Sequence, residues 1–96
     1  MANETISERV DQAFAAVRSG DLAPSDSLED AGSAIIPAVV PYLSDDNEDV
    51  RRYAVTLLAL TKSADAAPHL AAALSDRSDD IVRRASTALY EIGSEA

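Results

Sequence analysis

One segment of this chain is written twice. Shifted against itself by 31 residues, without a gap, the sequence sets Pro37 on Pro68 and Leu43-Ser44-Asp45 on Leu74-Ser75-Asp76. The same shift sets Asp49, Arg52, Ala54, Thr56 and Leu58 on Asp80, Arg83, Ala85, Thr87 and Leu89. A self-match with a period of about 20–50 residues marks a solenoid, in which each supersecondary unit buries its apolar face only against its neighbours. Inside each copy the apolar residues recur at three- and four-residue spacing, so the repeating unit is a pair of helices and the fold class is all-α.

Composition agrees with a small core. The chain has 96 residues, 47% of them hydrophobic, but its only aromatic residues are Phe14, Tyr42, Tyr53 and Tyr90, so the core is expected to be thin and aliphatic. A formal charge of −9 repels phosphate backbones and anionic membrane surfaces, which argues against nucleic acid or a membrane as partner. Cysteine is absent, excluding disulfides and thiolate metal sites. No charged-then-apolar leader and no bilayer-length apolar run is present, so a cytoplasmic location is expected. Aspartate outnumbers glutamate and Lys62 is the sole lysine beside seven arginines. That texture fits a protein of a salt-loving archaeon, where screening removes charge repulsion, and equally a GC-rich genome.

Three stretches follow from the caps and breakers. Thr5 and Glu8 have capping-box spacing, Ile6, Val10, Ala13, Phe14 and Val17 share a helical face, and Gly20 stands where a left-handed residue ends the helix. Residues 1–32 are therefore a first helix with a loop, either a capping element or a degenerate repeat. Residues 33–63 form the first repeat: Ser33 caps a helix carrying Ile35, Ile36, Val39, Val40 and Leu43, and Asn47 caps a second helix over 48–61. Pro41 lies inside the first of these and is expected to kink it or delay its start. In the second repeat, 64–96, Asp65 caps a helix over about 66–74, Ser78 takes the place of Asn47, and the last helix runs to Gly93 as its stop.

These residues resemble a known family. Pro37-x-Val39-x-x-x-Leu43-x-Asp45 followed by Val50-Arg51-x-x-Ala54-x-x-x-Leu58 is similar to a HEAT repeat of the short kind found in phycobilin-lyase-like proteins. Pro68-x-Leu70-x-x-x-Leu74-x-Asp76, with Ile81, Ala85, Ala88, Leu89 and Ile92, repeats it. The resemblance covers about residues 33–93 and implies a short right-handed α-solenoid of antiparallel helix pairs, about five helices in all. It implies a non-enzymatic, protein-binding scaffold without a cofactor, with a lyase or chaperone-lyase activity, or a subunit of a larger assembly, as the alternatives. Val82 stands in the slot of Arg51, which departs from the family pattern in the second copy.

A helical wheel separates the faces of the two B helices. On the first, Val50, Tyr53, Ala54, Leu57, Leu58 and Leu60 point inward, leaving Arg51, Arg52, Val55, Thr56 and Ala59 outside. On the second, Arg83, Ser86, Thr87 and Tyr90 look out. Since B helices line the concave surface of HEAT-like solenoids, the strip Arg52, Val55, Thr56, Ala59, Arg83, Ser86, Thr87 and Tyr90 is the candidate partner-binding face. The plain alternative is helix decoration: Glu48–Arg52, Asp79–Arg83 and Asp80–Arg84 have the spacing of favourable intrahelical ion pairs. Asp45-x-Asn47-x-Asp49 opens like a calcium loop, but Val50 replaces the needed glycine and Thr56 the bidentate glutamate, so no metal site is expected. His69 is the lone histidine and lacks a partner nucleophile, so no catalytic residue is expected. At the far end of the stack Leu70, Leu74, Ala85, Leu89 and Ile92 are expected to leave an apolar patch, available to a weak homodimer or a partner's helix.

Overall fold

The computed structural model describes residues 6–20 and 34–95. The order is α1 (Ile6–Arg18), α2 (Ile36–Val39) continued by a 3₁₀ turn (Val40–Ser44), α3 (Glu48–Thr61), a 3₁₀ turn (Ala64–Ala66) leading into α4 (Ala67–Ala73), and α5 (Asp79–Glu95). No strand occurs among the described residues, and the fold is a short all-α solenoid. The caps expected at Thr5 and Ser33, and the loop between them, lie outside the described residues.

Local chemistry accounts for most boundaries. The Asn47 carboxamide accepts from the amides of Asp49 and Val50 at 2.8 and 3.3 Å, and α3 starts at once. Gly20 takes φ +101° while its amide bonds the Val17 carbonyl at 2.9 Å, closing α1 as its position in the sequence implied. Pro41 has no N–H to bond the Pro37 carbonyl, so the A helix of the first pair holds an α conformation for four residues only and then tightens into 3₁₀. Two expected caps are corrected. Ser63, not Asp65, caps the second A helix, its Oγ accepting from the Asp65 amide at 3.1 Å. Gly93 does not stop α5, which continues to Glu95, and Gly93 has no positive φ.

α1 packs on α2 and α3, α3 on α5, and α5 on α4, so the stack runs α1, first pair, second pair. Its core is aliphatic except at one junction: Phe14 stacks on Tyr42 with ring centroids 3.8 Å apart and meets Tyr53 edge-on at 5.1 Å. Around that cluster Tyr42 donates to Asp11 at 2.5 Å, and Arg18 grips Asp45 with contacts of 2.6 and 3.1 Å, fastening α1 to the first pair. Asp45 lies below the usual carboxylate range because Arg18 and the Asn47 amide bond its charged form.

The two pairs are joined by a buried arginine. Arg51, which the wheel placed outside, is 5% exposed. Its Nε donates to Asp76 of the second pair at 3.0 Å, and its Nη1 donates to the carbonyls of Asp45 and Asp46 at 2.9 and 3.1 Å. One guanidinium thus satisfies the turn of its own pair and the carboxylate of the next, the condition under which a buried ion is tolerated. The wheel failed because it weighs only position around the helix, whereas this side chain is buried by the turns on either side of it, through Asp45, Asp46 and Asp76.

Candidate functional site

Between α3 and α5 runs a groove of about 370 Å³. α3 contributes Val55, Thr56, Ala59 and Leu60, and α5 contributes Asp80, Arg83, Arg84, Thr87, Ala88 and Glu91. Small side chains at Ala59 and Ala88 leave the space between the two helices unfilled along this line, and the floor is apolar while both ends carry charge. A second hollow of about 350 Å³ continues it toward α1, lined by Val17, Asp49, Arg52, Tyr53, Thr56 and Arg84. Thr56 and Arg84 belong to both, so one concave strip crosses the whole stack.

The candidate residues divide on this strip. Val55, Thr56, Ala59, Arg83 and Thr87 line the groove and Arg52 the neighbouring hollow, whereas Ser86 and Tyr90 stand on the solvent side of α5 outside both. Val55 is a correction: it is fully buried under α5 and is a floor residue, not an outward one. Leu60 is the reverse correction, 45% exposed where the wheel set it inward. Asp80, Arg84, Ala88 and Glu91 were passed over. Asp80, Arg84, Thr87 and Glu91 fall at i, i+4, i+7 and i+11, a stripe that a wheel centred on the gap between the B helices would have found.

Arg52 is held in place rather than free. Its three nitrogens donate to Glu48 and Asp49 at 2.6 Å each and to Asp80 of the second pair at 2.7 Å. Its hydrogen bonds to Asp80, then to Asp49, raise its already high pKa, and bonds from Arg52 and then Arg84 lower that of Asp80. The Thr56 hydroxyl donates back to the Arg52 carbonyl at 2.9 Å. Two of the three expected intrahelical pairs form, Glu48–Arg52 and Asp80–Arg84. Asp79–Arg83 does not, and among the described residues Arg83 has no carboxylate partner. Arg83 stands in the slot of Arg52, but Asp80 is already claimed by Arg52 and Arg84.

The triplet with calcium-loop spacing is committed to the turn before α3. Asp45 accepts from Arg18 and from the Asn47 amide, and Asn47 caps the helix. No helix among the described residues is long and apolar enough to cross a membrane.

Stacked helix pairs stapled by cross-pair arginines, with a groove between their second helices, define a short α-solenoid. The family profile for HEAT repeats matches residues 11–96, from within α1 to the last residue, and the chain belongs to the HEAT-repeat family. No curated protein and no solved structure matches it.

Proposed function

We propose that the protein is a non-enzymatic interaction module that seats a segment of a protein partner in the groove between α3 and α5. HEAT repeats commonly mediate protein–protein interaction. The observation that carries the reading for this chain is the pairing of an apolar floor (Val55, Ala59, Leu60, Ala88) with Arg83, a rim cation that has no carboxylate partner among the described residues. Tyr90, 77% exposed one turn beyond Thr87, extends the contact surface.

The test is capture of partners by the immobilised chain compared with Thr87→Arg, which fills the groove from an exposed position. Ala72→Arg, exposed on α4, is the control. Partners lost with Thr87→Arg and kept with Ala72→Arg support the groove, provided both variants melt like the parent. Equal capture by all three chains places the contact elsewhere.

A further inference from the structure

We propose, resting on the groove reading above, that the occupant of the groove between α3 and α5 is an amphipathic helix of a partner protein. It lies along α5 in the same direction, with an acidic side chain over Arg83 and a basic one over Glu91.

The walls of the groove select a helix over an extended segment. Both walls are helices, whose backbone groups are bonded within each helix, and the Thr56 hydroxyl already donates to the Arg52 carbonyl at 2.9 Å. An extended segment would bring a backbone amide and carbonyl at each residue, roughly every 3.3 Å, to a trough with an apolar floor and few groups to pair them. A helix bonds its own. Pitch agrees with this. Along α5 the lining residues Asp80, Arg84, Thr87 and Glu91 recur once per turn, about 5.4 Å apart, and apolar side chains at i, i+4 and i+7 of a second helix recur at the same interval. Leu60, 45% exposed at the far end, gives such a face an apolar contact on α3.

Charge sets the order of the partner's residues. The chain has 17 acids and 8 bases, yet the groove and the adjoining hollow together hold three of each: Asp49, Asp80 and Glu91 against Arg52, Arg83 and Arg84. A strongly acidic segment is repelled by the net charge of −9, and a strongly basic one is drawn to the acidic surface as a whole, so this strip favours a segment of balanced charge. Asp80 is engaged by Arg52 at 2.7 Å and by Arg84 at 3.0 Å, which leaves Arg83 as the cation open to a new carboxylate at the start of the groove. Glu91 stands at the other end, eight residues on, about 12 Å along the helix. The complementary helix carries an acid at i, apolar residues at i+3, i+4 and i+7, and a base at i+8. Acid first and base last is also the order that a helix's own dipole favours. Laid the other way, it would set like charges on Arg83 and on Glu91.

A phage library of helix-forming peptides of about 16 residues, randomised over one face and selected on the immobilised full chain, tests this. The expected result is enrichment of an acid before, and a base after, an apolar triad. Arg83 is exposed, so Arg83→Gln and Arg83→Glu are expected to melt like the parent. The first weakens the enriched peptides about threefold, the second about tenfold or more, and selection on Arg83→Glu replaces the leading acid by a base. A proline within the triad abolishes binding. No enrichment, enrichment without that charge order, equal affinity for the parent and Arg83→Glu, or binding that survives the proline each overturns the proposal. Thr87→Arg separates this from the groove reading. Peptides lost with Thr87→Arg but indifferent to Arg83→Glu leave the groove as the site and overturn only the charge-ordered helix, whereas peptides that Thr87→Arg still binds overturn both.

Discussion

Replacing Arg51 by methionine tests whether one guanidinium holds the two pairs together. Arg51 and Asp76 have side chains only 6% and 8% exposed, and the substitution leaves Asp76 charged, buried and bonded to the Ser78 amide at 2.9 Å. The carbonyls of Asp45 and Asp46 lose their donor at the same time. Removing one member of a buried pair costs about 3–5 kcal/mol. A chain of this size has a total stability of roughly 5–14 kcal/mol. The single change therefore removes about a fifth of the stability or more, with an m-value unchanged because the fold still opens as one unit. Asp76→Asn keeps the acceptor for Ser78 and costs less, about 1.5–3 kcal/mol. Since the two substitutions disrupt the same bonds, the double variant should be more stable than the sum of the singles predicts by about 1–3 kcal/mol. Urea unfolding followed by far-UV circular dichroism measures all four chains. A cost below about 1 kcal/mol for Arg51→Met, or additivity within about 0.5 kcal/mol, would refute the argument.

Leu58 is fully buried at the same junction, and Leu58→Ala should cost about 2–5 kcal/mol while the far-UV and near-UV transitions stay coincident; separate transitions would mean that the pairs unfold independently. Burial, then the bond to Asp11, pushes Tyr42 up to about 12 from 10.0, so the fold favours its neutral form. That contribution is complete below the ordinary value and is lost as pH rises through about 12, so Tyr42→Phe should remove a tyrosinate step near that pH from the ultraviolet absorbance and soften alkaline unfolding. An unchanged alkaline midpoint would count against it. Gly93 is helical with nothing within 4 Å of an added Cβ, so Gly93→Ala should stabilise by up to about 1 kcal/mol. Gly20→Ala, at φ +101°, should instead destabilise by about 1 kcal/mol, and thermal melts showing the same sign for both would contradict the backbone assignment.

The sequence spoke most clearly where one residue does one local job. Asn47 and Gly20 begin and end their helices by bonds made within three residues, and such bonds are visible without knowing the fold. The internal repeat revealed the stacking for a related reason, since equal slots in equal pairs meet equal neighbours. Residues with two neighbours were misread. Val55 of α3 is covered sideways by α5 and Arg51 by the turns whose oxygens it bonds, and a wheel with one buried side had to leave both outside. Leu60 erred the other way, its hydrophobicity drawing it inward although small alanines leave it open to the groove. Asp65 and Gly93 were assigned by residue type at ends where Ser63 and a continuing helix took the role. The groove itself arises from the spacing between helices, which no single helix encodes.

The placement of the aromatic rings decides what light can report about this molecule. Phe14, Tyr42 and Tyr53 share one cluster between α1 and the first pair, tryptophan is absent, and the remaining ring, Tyr90, is 77% exposed. Near-ultraviolet dichroism therefore registers the docking of α1 and is nearly blind to the second pair. Tyr90, held by little and bathed in solvent, becomes a built-in fluorescent sentinel: its emission should stay that of a free phenol through any event at the N-terminal half, and change when another molecule settles over the last helix.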